Sequence, residues 1–382
     1  MIDTITLRLD ESEFRITDHN KFSPCTYNFY YPPYTRMGSR GYLDAYQNPT
    51  RKELLVGKYK PQLTLRKKWQ GNAPAIYLYI QFSAPKMLYG NNFDEISDLD
   101  LDNIIMELNS LLNEMGVRLR LFDLRFAKVT KIHYSKNILL PEYVISSMVI
   151  GEVKKSNISL FYDISEKDYR NEGHSFRFHT NEFELILYDK IKDLQKSRKS
   201  DRKSIEKDNA IQLNLFDNIP IQKPFDVLRI ELRLNTPDKI YRETRIDKKS
   251  QTLEKMFNSE ISINLLSNCW GNIIKNYHLI SCDIEDKENF LAGFLINNPD
   301  IKLTNALAVY SALEFFKDIG ARKFRNLIEA RYTRDTWYAL NRRIRNYNMK
   351  SSLPNYLQAI TNYLEYYEPL RLESYKEIIE SS

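Results

Sequence analysis

The sequence predicts an α+β protein, with an antiparallel sheet that has helices on one face, followed by an all-α C-terminal domain. Up to about residue 235, several segments alternate apolar and polar residues, as half-buried strands do. Residues 98–115 instead repeat apolar residues at helical spacing and end at Gly116, a common helix terminator. Beyond about residue 240 the pattern is helical. A sheet covered by helices on one side leaves its other face polar.

The predicted elements follow in order along the chain. Strands are expected at residues 2–9, 54–69, 75–83, 117–138, 157–164, 182–190 and 225–235, and helices at 98–115 and 141–153. Residues 18–53 are rich in Tyr, Pro, Asn and Arg and show no period, so we expect a long loop. We place a catalytic domain at 1–240, with a basic linker at 190–224, and a helical domain at 241–382.

Composition narrows the class of protein. The chain has 382 residues, enough for more than one domain, and 56 Lys and Arg against 50 Asp and Glu. Its three cysteines have no metal-ligand spacing, which fits a reducing compartment. The N-terminus does not read as a signal peptide, and no apolar run approaches the ~20 residues of a membrane span. We therefore expect a cytoplasmic protein whose clustered basic residues contact a polyanion.

Four predicted strands carry polar residues on the face opposite the core. These residues are Gln81, His133, Tyr188 with Lys190, and Glu231. Amide, imidazole and carboxylate groups can hold Mg²⁺ or Mn²⁺, and such a cation polarises a phosphate. A tyrosine, with an ordinary pKa of ~10, becomes a usable nucleophile when a cation and a lysine offset its charge. The alternative is that each polar residue is simply solvated.

Five short motifs, in this order, resemble those of rolling-circle replication initiators. They are Met-Ile-Asp-Thr-Ile at the start, Tyr-Ile-Gln-Phe before the first helix, Val-Thr-Lys-Ile-His-Tyr after it, then Leu-Ile-Leu-Tyr-Asp-Lys and Leu-Arg-Ile-Glu-Leu-Arg-Leu. The chain is similar, over roughly residues 1–235, to the Rep_trans initiators of small plasmids and to phage gene II-like replication proteins. Both groups belong to the wider HUH endonuclease superfamily.

This resemblance implies an HUH or RRM-like nicking domain. Tyr188 corresponds to the nicking nucleophile, Lys190 to the adjacent basic group and Glu231 to the acidic residue of the last strand. Relatives carry Glu where this chain has Gln81, and Asp where it has His133. The implied reaction leaves a 5′-phosphotyrosine link and a free 3′ hydroxyl at the replication origin of a phage or plasmid-like element.

Several residues are predicted to contact double- or single-stranded origin DNA. Tyr77 and Tyr79 stand beside Gln81 and could stack on bases, although strand propensity alone also favours them. A basic run follows the tyrosine strand and includes Lys190, Lys192, Lys196, Arg198, Lys199, Arg202, Lys203 and Lys207. Its alternative is a solvated helix or linker.

Residues 303–346 resemble a helix-turn-helix, or else a plain helical bundle with a basic surface. Arg334, Arg342, Arg343 and Arg345 would reach DNA, whereas Trp337 and Leu340 would form the core. A non-enzymatic DNA-binding regulator is therefore one alternative function. A relaxase or transposase with the same nicking chemistry is another.

The linker contains a second recognisable peptide, Gln212-Leu213-Asn214-Leu215-Phe216. It resembles the Gln-Leu-x-Leu-Phe peptide by which bacterial proteins dock on the replicative sliding clamp; the alternative is an amphipathic strand. Position 192 is Lys, whereas initiators that cleave twice with one subunit carry a second tyrosine there. We therefore expect one nucleophile per subunit, with termination needing a second subunit, as in a homodimer, or a second activated group. Helicase and polymerase are further expected partners.

Overall fold

The computed structural model describes residues 1–30, 42–50, 53, 57–70, 73–142, 144–156, 165–170, 174–196, 225–277, 287–345 and 354–380. Its strands are β1 (Ile2–Asp10), β2 (Phe14–Ile16), β3 (Tyr42–Gln47), β4 (Gln62–Gln70), β5 (Ala73–Ser83), β6 (Val117–Leu119), β7 (Lys128–Leu139), β8 (Ser165–Arg170), β9 (Ser175–His179), β10 (Phe183–Asp189) and β11 (Val227–Leu234).

The α-helices in the described ranges fall into two groups along the chain. Six lie before β11: α1 (Tyr27–Tyr30), α2 (Ala84–Tyr89), α3 (Leu101–Glu114), α4 (Leu121–Arg125), α5 (Ser146–Lys155) and α6 (Lys190–Lys196). Nine follow it: α7 (Pro237–Thr244), α8 (Leu253–Met256), α9 (Ser259–Tyr277), α10 (Lys287–Asn297), α11 (Leu303–Ile319), α12 (Ala321–Arg331), α13 (Arg334–Arg345), α14 (Asn355–Glu365) and α15 (Leu372–Glu380). None of these helices combines the length and the apolar composition needed to cross a membrane.

One antiparallel sheet organises the chain. Nine of the described strands lie side by side in the order β3-β4-β5-β1-β7-β11-β10-β9-β8, and β2 pairs separately with β6. The predicted antiparallel α+β class is confirmed at this level. Because β1, β7, β11 and β10 are neighbours, the polar residues that they carry on one face are brought together.

The main core lies on the other face of this sheet. Because side chains alternate along a strand, Ile230 and Leu232 of β11 point into this core. The apolar stripe of α3 covers the same core, as the helical spacing of residues 98–115 predicts. Helices α9 and α14, far along the chain, also contribute to this core, for example through Trp270 and Ile360. The predicted division at residue 240 is therefore not a division of the main core.

A second, smaller core belongs to the helices alone. Val309 and Phe316 of α11 pack against Trp337 of α13. Trp337 is buried and Leu340 packs against the same cluster, as predicted for core residues. The helices after residue 240 are therefore divided between two cores: α9 and α14 pack on the sheet, whereas α11 and α13 form the smaller cluster. A separate domain at 241–382 stays a prediction.

The polar face of the sheet is not open along its whole length, contrary to the expectation of helices on one face only. Val227 and Leu139, paired across β11 and β7, lie on this face. They pack with Ile191 and Leu194 of α6 and with Tyr375 of α15. Two helices thus cover one end of the face that carries the polar residues.

Three predicted segments differ from the structure. The long loop expected at 18–53 contains α1 and the edge strand β3. Only Ala45 of β3 is buried, so the strand lacks the apolar alternation by which the other strands are predicted. The extended segment expected at 117–138 is interrupted by α4, and the strand expected at 54–69 begins only at Gln62. The strand expected at 157–164 lies outside the described residues.

A buried ion pair ties the C-terminal region to the sheet. Lys136 of β7 donates to Glu95 Oε2 at 2.7 Å, and the same oxygen accepts the backbone N–H of Leu370 at 2.8 Å. The second oxygen of Glu95 accepts the backbone N–H of Asn137 at 2.5 Å. One carboxylate therefore joins β7 to the segment that leads into α15.

Replacing Glu95 with Ala should lower the free energy of unfolding by about 3–5 kcal/mol, because the buried Lys136 ammonium loses its counter-charge. Urea unfolding followed by tryptophan fluorescence measures this difference. Glu114→Ala is the control, since Glu114 pairs with Lys58 at the surface and its loss should change stability little. Equal effects of the two substitutions would contradict the prediction.

Candidate metal and nucleophile site

Strand register places three of the predicted site residues together. Tyr188 pairs with Arg229, two positions beyond the Ile186–Glu231 pair, so Tyr188 and Glu231 are diagonal neighbours on the same face. The Tyr188 hydroxyl donates to Glu231 Oε2 at 3.2 Å. On the other side of β11, His133 Nδ1 lies 3.7 Å from Glu231 Oε1. Phenol, carboxylate and imidazole thus form one continuous group.

A fourth residue, Asp3, joins this group through an irregularity in β1. The pairing of β1 with β7 shifts by one residue between Ile2 and Thr4, so that Asp3 is the extra residue. Such a bulge re-aims a side chain that simple alternation would place on the opposite face. Sequence reasoning missed Asp3 because strict alternation assigns it to the core face with Ile5.

Asp3, His133 and Glu231 form a group that could hold a metal ion. One donor atom from each lies within 4.8 Å of the others. Ligands around Mg²⁺ at about 2.1 Å are at most about 4.2 Å apart, so a small contraction would be needed. Two carboxylates and an imidazole are a donor set that Mg²⁺ and Mn²⁺ accept. The residues present therefore fit a divalent cation.

Two arginines neutralise the carboxylates from either side. Arg229 Nη2 donates to Asp3 Oδ1 at 3.0 Å and to Ser135 Oγ at 2.7 Å, and Arg233 Nε donates to Glu231 Oε1 at 2.7 Å. Burial alone would raise the pKa of Asp3, but the surrounding cations, Arg229 foremost among them, together outweigh burial and lower that pKa to about 2. Burial also opposes ionisation of Glu231, but Arg233, with smaller contributions from His133 and Arg229, lowers the pKa of this carboxyl. Both carboxylates are therefore ionised, as metal ligands must be.

The imidazole is also in the form that a metal requires. Burial lowers the pKa of His133 below its usual 6.5, although the Glu231 carboxylate opposes this shift. His133 is consequently neutral at pH 7, with a ring nitrogen available to a cation.

Burial shifts the phenol and the nearby amine in opposite directions. It raises the pKa of Tyr188 well above its ordinary value, with Arg229 opposing the shift. It lowers the pKa of Lys190 to about 7, and Arg229 adds to this effect. Lys190, the first residue of α6, is completely buried, and its Nζ lies 5.8 Å from the Tyr188 ring centroid. This Nζ has no hydrogen-bond partner among the described residues. At neutral pH the Lys190 amine is therefore partly deprotonated, whereas the Tyr188 phenol keeps its proton.

Gln81 lies farther along the sheet than the resemblance implies. It pairs with Thr6 of β1, whereas His133 pairs with Thr4, which places Ser83 rather than Gln81 in the row of His133. Gln81 is exposed and lines a small cavity of about 100 Å³ that Asp3 also lines. Its place in a ligand set remains a prediction.

The aromatic residues expected to stack on DNA are already covered by cationic side chains. Tyr77 is only 7% exposed, with the Arg8 guanidinium over its ring at 5.1 Å. The Arg66 guanidinium lies 4.2 Å from the Tyr42 ring centroid and 5.5 Å from that of Tyr79. The half-buried Tyr79 and Arg66 thus form a cation–π layer on the polar face.

Other predicted contacts lie elsewhere or outside the described residues. Arg334, Arg342 and Arg343 are exposed on α13, whereas Trp337 of the same helix is buried. The side chains of Lys196 and Arg345 are not among those described. Outside the described residues lie Arg198, Lys199, Arg202 and Lys203 of the basic run, and Gln212, Leu213, Leu215 and Phe216 of the clamp-like peptide.

Comparison of the chain with protein-family models, with curated proteins and with solved structures finds no match. The function proposed below therefore rests on the residues of the polar face and on the sequence motifs.

If the group of Asp3, His133 and Glu231 holds a cation, Glu231→Gln and Asp3→Asn should each weaken Mn²⁺ binding by at least about tenfold. The electron paramagnetic resonance signal of free Mn²⁺ measures this affinity. Because the pKa of His133 is lowered, affinity should hold between about pH 8 and pH 7 and fall only below the usual 6.5.

Glu184→Gln is the matched control for the Mn²⁺ titration. This carboxylate lies on the same face, 3.4 Å from Arg233, but outside the three-residue group. Equal loss of Mn²⁺ binding in Glu184→Gln and Glu231→Gln would contradict the prediction, because it would show that Mn²⁺ is attracted by the overall negative charge of this face and not bound by the three residues.

Proposed function

We propose that the protein is a metal-dependent DNA endonuclease and strand transferase that nicks origin DNA with Tyr188. The observation that carries this proposal is the hydrogen bond from the Tyr188 hydroxyl to Glu231, a member of the acidic and histidine group. Together with the motif resemblance, it points to replication initiation of a phage or plasmid-like element. A relaxase or transposase would use the same chemistry with a different outcome.

The reaction is a transesterification. Tyr188 Oη forms a bond to phosphorus while the bond from phosphorus to the 3′ oxygen breaks, and that oxygen takes up a proton. The products are a 5′-phosphotyrosine link and a free 3′ hydroxyl. The bonding electrons move within this exchange, so no oxidant or reductant is needed.

Activation of the phenol requires removal of its proton. Glu231 accepts the hydrogen bond, but its lowered pKa makes it a weak base. Lys190, whose pKa of about 7 leaves it partly neutral at physiological pH, is the better proton acceptor. We assign the general-base role to Lys190 and the orienting role to Glu231.

Asp3, His133 and Glu231 are the residues that would hold Mg²⁺ or Mn²⁺. When bound, this cation supplies positive charge beside the scissile phosphate. Arg229 and Arg233 already lie on the two carboxylates and would offset the remaining negative charge. Gln81 lies near this group of three residues but is not a member of it.

The polar face gives single-stranded DNA a route to Tyr188. The layer of Tyr42, Arg66 and Tyr79 lies on the same face, toward the β3 edge of the sheet. Arginine and tyrosine side chains hold single strands by phosphate contact and base stacking, at about 1–3 kcal/mol for each stacked base. The basic run and the clamp-like peptide would add contacts to DNA and to the sliding clamp, and a second subunit would complete a second cleavage.

A regulator that binds DNA without cleaving it is the second candidate function. The three-helix cluster of α11, α12 and α13 favours it, because Trp337 is buried while Arg342 and Arg343 are exposed on the same helix. A recognition helix presents arginines in this way. The same cluster would also serve an endonuclease by positioning it on duplex DNA.

Replacing Tyr188 with Phe should abolish nicking and leave duplex binding unchanged, because phosphate contacts made elsewhere supply the affinity. Single-stranded oligonucleotides incubated with Mn²⁺ and separated on a denaturing gel would reveal the covalent protein–DNA adduct. Tyr46→Phe is the control, since this exposed tyrosine lies on the same face and its hydroxyl donates to Asp44 in its own strand. An adduct formed by Tyr188→Phe would identify another nucleophile.

If Lys190 is the general base, the single-turnover nicking rate should rise as pH increases through about 7, because only the deprotonated amine can accept the phenol proton. Lys190→Arg should be slower and lack this inflection, since arginine stays charged. Identical pH profiles for the two proteins would remove Lys190 from this role.

A further inference from the structure

A second polar cavity lies beside the two-stranded β2–β6 sheet, away from Tyr188. It has a volume of about 620 Å³, within the range of ligand pockets. The residues that line it are Glu11, Phe14, Arg15, Ile16, Thr17, His19, Tyr30 and Arg118. No part of the nicking chemistry uses these residues.

Two arginines stand side by side in the lining of this cavity. Arg15 of β2 pairs directly with Arg118 of β6 in the antiparallel ladder. Like charges directly opposite in a sheet are destabilising. Neither guanidinium has an ion-pair partner among the residues that the structure describes, and Glu11 is the one carboxylate that lines the same cavity. Both guanidinium groups are exposed, so solvent screens part of the repulsion, and an anion bound between the two side chains would offset the rest.

An aromatic wall stands next to the arginines. The His19 ring lies 5.5 Å from the Tyr30 ring in an edge-to-face arrangement, and its Nδ1 is 2.9 Å from Thr26 Oγ1. These contacts hold His19 in place at the cavity wall. Guanidinium groups bind phosphate oxygens in a forked geometry, and aromatic rings accept a base by stacking or edge contact.

We propose that this cavity binds a nucleotide, with its phosphate between Arg15 and Arg118 and its base against His19 and Tyr30. The ligand is either a free nucleotide or one nucleotide of a DNA strand, because both present the same phosphate and base.

The cavity is separate from the nicking site. Asp3 lies near the start of β1, whereas β2 follows the end of that strand, and β1 from Asp3 to Asp10 extends about 23 Å. Nucleotide binding here is thus an addition to the proposed function. A bound nucleotide of a DNA strand would anchor that strand at a distance from Tyr188, whereas a bound free nucleotide would make the protein sensitive to nucleotide concentration.

The test uses the full chain and two probes, dATP and a short single-stranded oligonucleotide, with affinity measured by titration calorimetry. The variant Arg15→Gln with Arg118→Gln should weaken binding by about tenfold or more for each arginine lost. Arg245→Gln is the matched control, because Arg245 is exposed and lines neither site. Binding of dATP that depends on the arginine pair identifies a free nucleotide as ligand, and binding of the oligonucleotide alone identifies a strand contact.

Thermal unfolding without ligand separates a binding role from a structural one. Removing two opposed positive charges should raise the unfolding temperature of the double variant, whereas a structural role for the arginines would lower it. The proposal is overturned if wild-type protein binds neither probe, if the double variant binds as well as wild type, or if Arg245→Gln loses as much affinity.

Discussion

The buried pairing of two carboxylates with two arginines holds the centre of the sheet in place. Moving a charged group into the protein interior costs several kcal/mol, and only a well-placed counter-charge recovers it. Arg229 contacts Asp3 of β1 and Ser135 of β7, and it also donates to the backbone carbonyl of Asn92 at 2.6 Å. A slip of one residue in β11 would turn this guanidinium into the apolar core. The network therefore specifies the register on which the site depends.

The same burial sets the protonation states of the two groups nearest to the proposed reaction. A low-polarity environment disfavours whichever form is charged, so the phenol of Tyr188 keeps its proton and the amine of Lys190 tends to lose its own. Transfer of the proton from phenol to amine separates charge and is unfavourable in the free protein. A phosphate and a cation entering the site would change this balance, which links activation of the tyrosine to arrival of the substrate.

Distant parts of the chain cover the end of the polar face at which Lys190 is buried. Helix α6 begins at Lys190, and α15 packs over it through Tyr375, whose hydroxyl also donates to the Phe225 carbonyl at 3.0 Å. Glu95 holds the chain leading into α15 against β7. The C-terminal segment thus belongs to the apolar cluster that includes Ile191, the residue next to Lys190, although it is the part of the chain farthest in sequence from β1.

Sequence alone determined the class of fold, the strands β1, β5, β7, β10 and β11, and the common face of His133, Tyr188 and Glu231. Alternation along a strand is a local property, so it can be read from consecutive residues. It could not identify Asp3, because the irregularity that turns this side chain exists only where β1 pairs with β7. It also could not tell that Gln81 lies one row from His133, or that Tyr77 is covered by Arg8. Tertiary structure decided these points, because strand register and burial depend on contacts between residues far apart in the chain.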